Sequence, residues 1–112
     1  MGSFAAGQVV IVHFPFSDLS SSKLRPAVVL AEAGRGDWIL CQITSKSYGD
    51  DRALPLYPSD FALGSLREES FLRPGKLFTA HTSLISGPAG QLQPAKFSTV
   101  RDAVVRMIQN GR

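Results

Sequence analysis

Hydroxyl-bearing and cationic side chains gather at three places in the sequence, each beside the end of a predicted strand. Taken singly, each group is better explained as an ordinary polar loop. Together they suit a phosphodiester, because cations neutralise phosphate while hydroxyls and backbone amides orient it. If the strand ends converge on one rim of a small barrel, the groups predict a nucleic-acid site. The three groups are Ser20, Ser21, Ser22, Lys23 and Arg25; Thr44, Ser45 and Lys46; and Ser70, Arg73 and Lys76.

Arg25 is followed by Pro26, and this pair shapes the end of the first polar loop. Proline disfavours helical geometry in the preceding residue, so we expect Arg25 in extended backbone where the second strand begins. Its guanidinium offers a planar fork of donors that matches phosphate. From this stretch alone, an ordinary surface arginine at a strand start is the favoured interpretation, and phosphate binding is the alternative.

The cysteine and histidine content argues against several other chemistries. Cys41 is the only cysteine, which excludes an intrachain disulfide and a cysteine-rich zinc site. It lies in an apolar run and is expected to be a buried thiol. His13 and His81 are far apart and lack the spacing of metal ligands. We therefore expect no metal and no other cofactor.

Length and composition favour one globular domain over residues 1–112. Hydrophobic residues make up 44% and charged residues 19%, which argues against disorder. The net charge of +3 permits nucleic acid as a partner without requiring it. No apolar run is long enough to span a bilayer, and the first residues lack the basic region of a signal peptide. A soluble, cytoplasmic protein is the expectation.

Apolar runs and turn residues predict a β-rich fold closed by a helix. A helical turn is expected near 58–61 with Ser59 as its cap. A helix should begin at Pro94, place an apolar stripe on the core and end at Gly111. Five or so short strands with these helices imply a compact β-barrel or half-barrel. The predicted strands cover about 8–14, 26–33, 38–44, a short edge strand within 52–57 interrupted by Pro55, 69–72 and 77–82.

The same groups occur in the order of a known protein family. The run 14–30, FPFSDLSSSKLRPAVVL, resembles the opening of MazF/PemK-type toxins of bacterial toxin–antitoxin modules, and Ile43-Thr44-Ser45 resembles their second motif. Further matches precede a terminal helix, as in the family: Gly64-Ser65-Leu66, Ser70-Phe71-Leu72-Arg73, Lys76-Leu77-Phe78-Thr79 and Gly90-Gln91-Leu92. The resemblance covers about residues 7–109, and the ordered set is far more specific than Lys-x-Arg-Pro alone.

The resemblance implies a mainly β (α+β) fold, an SH3-like barrel with a C-terminal helix, acting as a homodimer. It also implies a metal-independent endoribonuclease that cuts single-stranded RNA at a short sequence. A partner antitoxin would hold the enzyme inactive. In such toxins the ribose 2′-hydroxyl attacks the adjacent phosphate. Arg25 matches the family's active-site arginine and Thr44 its conserved hydroxyl, with Ser45 placed to assist; the remaining members of the three groups would bind substrate.

This sequence departs from the family's pattern at two places, and these departures leave the general base unassigned. Some family members have a histidine in the first loop, which this loop lacks, and some have an acidic residue where Pro74 follows Arg73. Asp18, Glu69 and His81 are candidates on chemistry alone.

Two other functions remain open at this stage. Gyrase-poisoning toxins share the fold and cut nothing, and a noncatalytic SH3-like module would use the basic rim for nucleic-acid binding only. Arg25-Pro26 and Thr44-Ser45 favour the nuclease.

Overall fold

A computed structural model describes residues 4–15 and 22–112, and within them seven strands and one α-helix. In chain order the strands are β1 (Gln8–Pro15), β2 (Ser22–Gly34), β3 (Asp37–Thr44), β4 (Leu54–Leu56), β5 (Phe61–Gly64), β6 (Ser70–His81) and β7 (Ile85–Leu92). Helix α1 (Pro94–Asn110) follows, and 3-10 turns occupy Pro58–Asp60 and Thr82–Leu84. The strands form one antiparallel sheet in the order β4-β6-β3-β2-β1-β7-β5.

The sheet curls into a half-barrel with α1 packed on it, so the predicted fold class is confirmed. The central strands carry apolar residues at consecutive positions, as expected for strands buried on both faces. Their side chains form two core clusters. The first comprises Val9, Val28, Cys41, Ile43, Leu56, Phe61, Leu72, Leu92 and Val100, and the second Val10, Val12, Ala27, Val29, Trp38, Leu40, Ala80 and Ile85.

Helix α1 confirms the predicted boundaries. Pro94 occupies its first turn, and Gly111 ends it with φ 72° and an N–H that donates to the Met107 carbonyl oxygen. Left-handed backbone of this kind favours glycine. The stripe buries Val100 and Val104, whereas Ile108 is 66% exposed. The helical spacing had predicted a stripe of Phe97, Val100, Val104, Met107 and Ile108, and its last member, Ile108, is therefore not part of the core.

Other predicted boundaries needed correction. Strands β5 and β7 were missed, since glycines and Pro88 in them read as turns. The predicted strands 69–72 and 77–82 are one strand, β6, bent by a bulge opposite the step from Cys41 to Gln42. Ser59 is not the cap of the 3-10 turn; the Tyr57 N–H donates to Asp60 Oδ2 at 2.8 Å instead.

The antiparallel order decides which strand ends meet. Strand β3 lies between β2 and β6 and runs opposite to both. Its end at Thr44 therefore lies beside the start of β2 and the start of β6. Arg25, Thr44 and Ser70, one member of each predicted group, lie at or near these three strand ends, so the fold brings them to one end of the sheet. Lys76 lies farther along β6, beside Leu77, which pairs with Cys41.

Candidate functional site

Arg25 and Thr44 line one pocket at that end of the sheet, with a volume of about 410 Å³. Ala27 pairs with Gln42 across β2 and β3. Because the strands are antiparallel, the same register continued by two residues places Arg25 opposite Thr44. Arg25 is half-buried. The full lining is Leu24, Arg25, Pro26, Ile43, Thr44, Ser45, Leu66, Arg67, Glu68 and Ser70.

Two buried hydroxyls lie at this pocket. Thr44 is only 3% exposed, and its Oγ1 accepts a hydrogen bond from the Lys46 N–H at 3.2 Å. A hydroxyl also carries a donor, so Thr44 can donate its own hydrogen to an anionic oxygen in the pocket. Ser70 is 5% exposed, and its Oγ donates to the Glu68 carbonyl oxygen at 2.9 Å. Ser45 is exposed at the rim.

Arg73 does not line the pocket but fastens the loop beside it. Its Nε lies 2.9 Å from Asp50 Oδ2, and its Nη1 donates to Gln42 Oε1 at 3.4 Å. Its guanidinium also lies 5.3 Å from the centre of the Tyr48 ring. These contacts join β6 to the 45–53 loop, which leaves the pocket at Ser45.

The Arg73 hydrogen bond lowers the pKa of Asp50 below its ordinary value, and the backbone N–H of Arg52 contributes to the same shift. Both interactions favour the charged carboxylate. The ion pair therefore persists across the neutral pH range.

The remaining residues predicted to bind substrate either do not line the pocket or have side chains that are not described. Lys46 and Lys76 are exposed, and neither lines the pocket. Ser20 and Ser21 lie outside the described residues. Strand β2 begins at Ser22, and only the backbone of Ser22 and Lys23 is described.

The candidate bases are separated by the fold. His81 lies at the far end of β6 from Ser70, where its Nδ1 is 3.1 Å from Ser83 Oγ. Glu69 is exposed and lines a second cavity, and Asp18 lies outside the described residues. Two pocket-lining residues, Arg67 and Glu68, were not among those predicted from the sequence. Their position just before Ser70 was the signal that could have identified them.

A second cavity of about 320 Å³ adjoins the first. The two share Leu66, Arg67 and Glu68, so the loop before β6 forms a wall between them. The other residues that line the second cavity are Leu56, Tyr57, Pro58, Phe61 and Glu69.

Cys41 is confirmed as a buried thiol. Its side chain is fully buried, its Sγ donates to the Arg73 carbonyl oxygen at 3.2 Å, and burial raises the pKa of Cys41 to about 12. A thiol in this state does not supply a nucleophilic thiolate at neutral pH.

Metal-ligating side chains are not grouped in the described part of the chain. Within residues 4–15 and 22–112, no three histidine, cysteine, aspartate or glutamate side chains are placed to hold one ion. In the same residues no helix is both long and apolar enough to cross a membrane.

Known proteins resemble this chain in sequence family and in fold. No protein of curated function matches it. Among solved structures, a MazE–MazF complex from Deinococcus radiodurans has a TM-score of 0.74 at 19% identity, covering 93% of this chain and 94% of that one. An endoribonuclease from a mycobacterial species, bound to its cognate antitoxin, has a TM-score of 0.72 at 13% identity, with coverage of 97% and 96%. Mycobacterium tuberculosis toxin MazF-mt6 has a TM-score of 0.69 at 16% identity, with coverage of 91% and 96%.

At these identities the structural likeness shows the fold. The family is shown by a sequence match over residues 5–108, nearly the whole chain, to a family described as PemK-like, MazF-like toxin of type II toxin–antitoxin systems. The half-barrel with its C-terminal helix agrees with that match. This chain belongs to the PemK-like, MazF-like toxin family.

Proposed function

We propose that the protein is an endoribonuclease that cuts single-stranded mRNA in the cytoplasm without a metal ion. The observation that carries the proposal is the shared pocket of Arg25 and the buried Thr44 hydroxyl at three converging strand ends. Family membership supplies the class of toxin. The pocket supplies a cation and a hydroxyl donor, which are the groups that bind and polarise a phosphodiester.

The proposed reaction uses the RNA's own nucleophile. The ribose 2′-hydroxyl gives up its proton and attacks the adjacent phosphorus, the bond from phosphorus to the 5′-oxygen breaks, and the departing 5′-oxygen takes up a proton from water. The products are a 2′,3′-cyclic phosphate and a 5′-hydroxyl. Arg25 stabilises the added negative charge of the phosphorane, a contribution of roughly 3–4 kcal/mol for preorganised donors of this kind. Thr44 donates to a non-bridging oxygen, assisted by Ser45.

The proton of the 2′-hydroxyl needs an acceptor. Among the pocket-lining residues Glu68 carries the carboxylate, and we assign it as the candidate base in place of His81, which lies at the other end of β6. Carboxylates act as general bases when they reach the proton they remove.

Regulation would follow the pattern of the neighbouring structures, two of which are complexes with antitoxins. A cognate antitoxin with an acidic, partly disordered segment would occupy the basic rim, which carries Arg25, Lys46, Arg73 and Lys76. Ordering of that segment on binding would offset part of the interaction energy. The toxin would be a homodimer with two-fold symmetry. Antitoxin and noncleavable RNA should therefore compete. Raising the salt concentration should weaken RNA binding more than antitoxin binding, because counterion release dominates binding to RNA.

One incubation tests the proposal. Pure protein is mixed with a long single-stranded RNA in excess EDTA, and the fragments are mapped by sequencing their ends. Cleavage at a short recurrent sequence is expected. RNA binding without cleavage would indicate a noncatalytic module. If the protein neither binds nor cleaves the RNA, the RNA-directed function is overturned, and a toxin that acts on a protein such as gyrase is favoured.

A further inference from the structure

Tyr48 is an exposed aromatic side chain held in a fixed place. It is 62% exposed, and its ring centre lies 5.3 Å from the guanidinium carbon of Arg73. Arg73 is itself held by Asp50 at 2.9 Å and by Gln42 at 3.4 Å. Two partners therefore fix the cation against the ring, and much of the ring remains open to solvent.

The backbone at Tyr48 is in an uncommon conformation. Its φ is 55°, in the left-handed region that bulky side chains rarely adopt, and Gly49 follows with φ 67°. Such a conformation costs energy in a non-glycine residue. A side chain that remains mostly exposed recovers little of that cost by burial. An outlier of this kind is a reason to look for a function.

The sheet places this assembly on the same face as Arg25. Ala27 pairs with Gln42, and Gln42 pairs with Arg73. Side chains alternate along a strand and share a face across a pair, so Arg25 and Ala27 point to the face that carries Arg73. The strand of Arg73 lies two strands from that of Arg25, about 10 Å away. A short single strand of RNA can bridge that distance.

We propose that Tyr48 is a stacking site for one base of single-stranded RNA next to the phosphate held by Arg25 and Thr44. The assignment rests on the proposed nuclease function. Unpaired bases stack on aromatic side chains in single-strand-binding proteins. Here Arg73 stiffens the ring from one side, so that the exposed part is preorganised for a base. Tyr48 would then help to select which nucleotides flank the cut.

The test compares variants that preserve the backbone. Tyr48→Asn removes the ring yet tolerates the left-handed conformation, and Tyr48→Phe keeps the ring. Tyr57→Asn is the matched control, since Tyr57 is 53% exposed and has extended backbone beside the second cavity. The probe is a fluorescent RNA containing the mapped cleavage sequence, blocked by a 2′-O-methyl group at the cut. Fluorescence anisotropy gives its affinity.

Tyr48→Asn should weaken binding roughly 5- to 150-fold, the range for loss of one base stack, while Tyr48→Phe and Tyr57→Asn bind like the wild type. Abasic nucleotides placed one at a time in the probe separate stacking from loop support. If Tyr48 stacks one base, removal of that base should abolish the difference in affinity between wild type and Tyr48→Asn. One of the abasic probes should therefore bind both proteins equally. An equal loss on intact and every abasic probe would assign Tyr48 to loop support and overturn the proposal.

The cleavage assay keeps this inference separate from the nuclease proposal. Wild-type cleavage with unchanged affinity and cleavage sequence in Tyr48→Asn would overturn only the stacking site. If the wild type does not cleave RNA, the nuclease proposal fails. The anisotropy comparison, then made with an unmodified single-stranded RNA of mixed sequence and its abasic versions, still decides whether Tyr48 stacks a base. No binding at all would reject both.

Discussion

Arg73 and Asp50 form an ion pair, 2.9 Å from Nε to Oδ2, that joins β6 to the loop following β3. The loop begins at Ser45 on the rim of the pocket, and β6 begins at the buried Ser70. Both side chains of the pair are more than four-fifths buried. The pair therefore holds together two of the three chain segments that form the pocket.

Asp50→Asn should destabilise the protein at neutral pH and lose its effect in acid. Because the pKa of Asp50 is lowered in the folded state, the pair's contribution is present above the unfolded pKa of about 4 and disappears as pH falls below it. We expect about 1–2 kcal/mol at pH 7, measured by urea unfolding from pH 7 to pH 2.5. Asp51→Asn, at an exposed neighbour, is the control. A difference that persists unchanged at pH 2.5 would contradict the ion-pair account.

Thr44→Val should leave the fold intact but slow RNA cleavage. Valine matches the shape of threonine, yet it removes both the acceptor for the Lys46 N–H and the proposed donor to the phosphate. We expect a loss of about 10-fold or more in single-turnover rate, smaller than for Arg25, since a neutral donor stabilises charge less than a guanidinium. Thr44→Ser keeps the hydroxyl and should recover most of the rate. Equal rates for the valine and serine variants would exclude the hydroxyl from the reaction.

Cys41 should make folding stability fall in alkali. Burial raises the pKa of Cys41 to about 12 in the folded protein, whereas the unfolded thiol ionises near 8.5. The unfolded state therefore releases its proton first, and the stability of the wild type falls relative to Cys41→Ala as pH rises above about 9. Urea unfolding of both proteins between pH 7.5 and 10.5 measures the difference, with a limiting slope of about 1.4 kcal/mol per pH unit. Parallel pH profiles would show that the thiol is not protected by burial.

Local sequence signals predicted the fold where they were strong. The apolar runs of β1 to β3, Pro55 in an edge strand and the Pro94-to-Gly111 helix were all recognisable. Strands β5 and β7 were not, because glycine is needed there for close backbone approach. A side chain at Gly64 would meet the Ala89 carbonyl oxygen, and one at Gly90 would lie 2.7 Å from the Leu63 carbonyl oxygen. Such glycines resemble turn residues until the pairing of the strands is known.

The candidate site was predictable in part. Arg25 and Thr44 were identified by motif, and the strand order explains why they meet. The support that Arg73 gives to the 45–53 loop was not predicted, since its contacts with Asp50 and Tyr48 join residues far apart in the sequence, and no local pattern shows that they meet. Glu68 was missed because a carboxylate in a polar loop has no periodicity to mark it, and its position just before Ser70 was the one signal that pointed to the pocket.

The most direct measurement is the single-turnover cleavage of single-stranded RNA by the wild type, Arg25→Ala and Arg101→Ala in excess EDTA, with product ends analysed. Arg101 is exposed on α1 and serves as the matched arginine control, and circular dichroism checks the fold of each protein. The account predicts 2′,3′-cyclic phosphate ends, a rate loss of about 10²-fold or more for Arg25→Ala and none for Arg101→Ala. Equal rates for all three proteins, or cleavage that requires Mg²⁺ and leaves a 5′-phosphate, would contradict it.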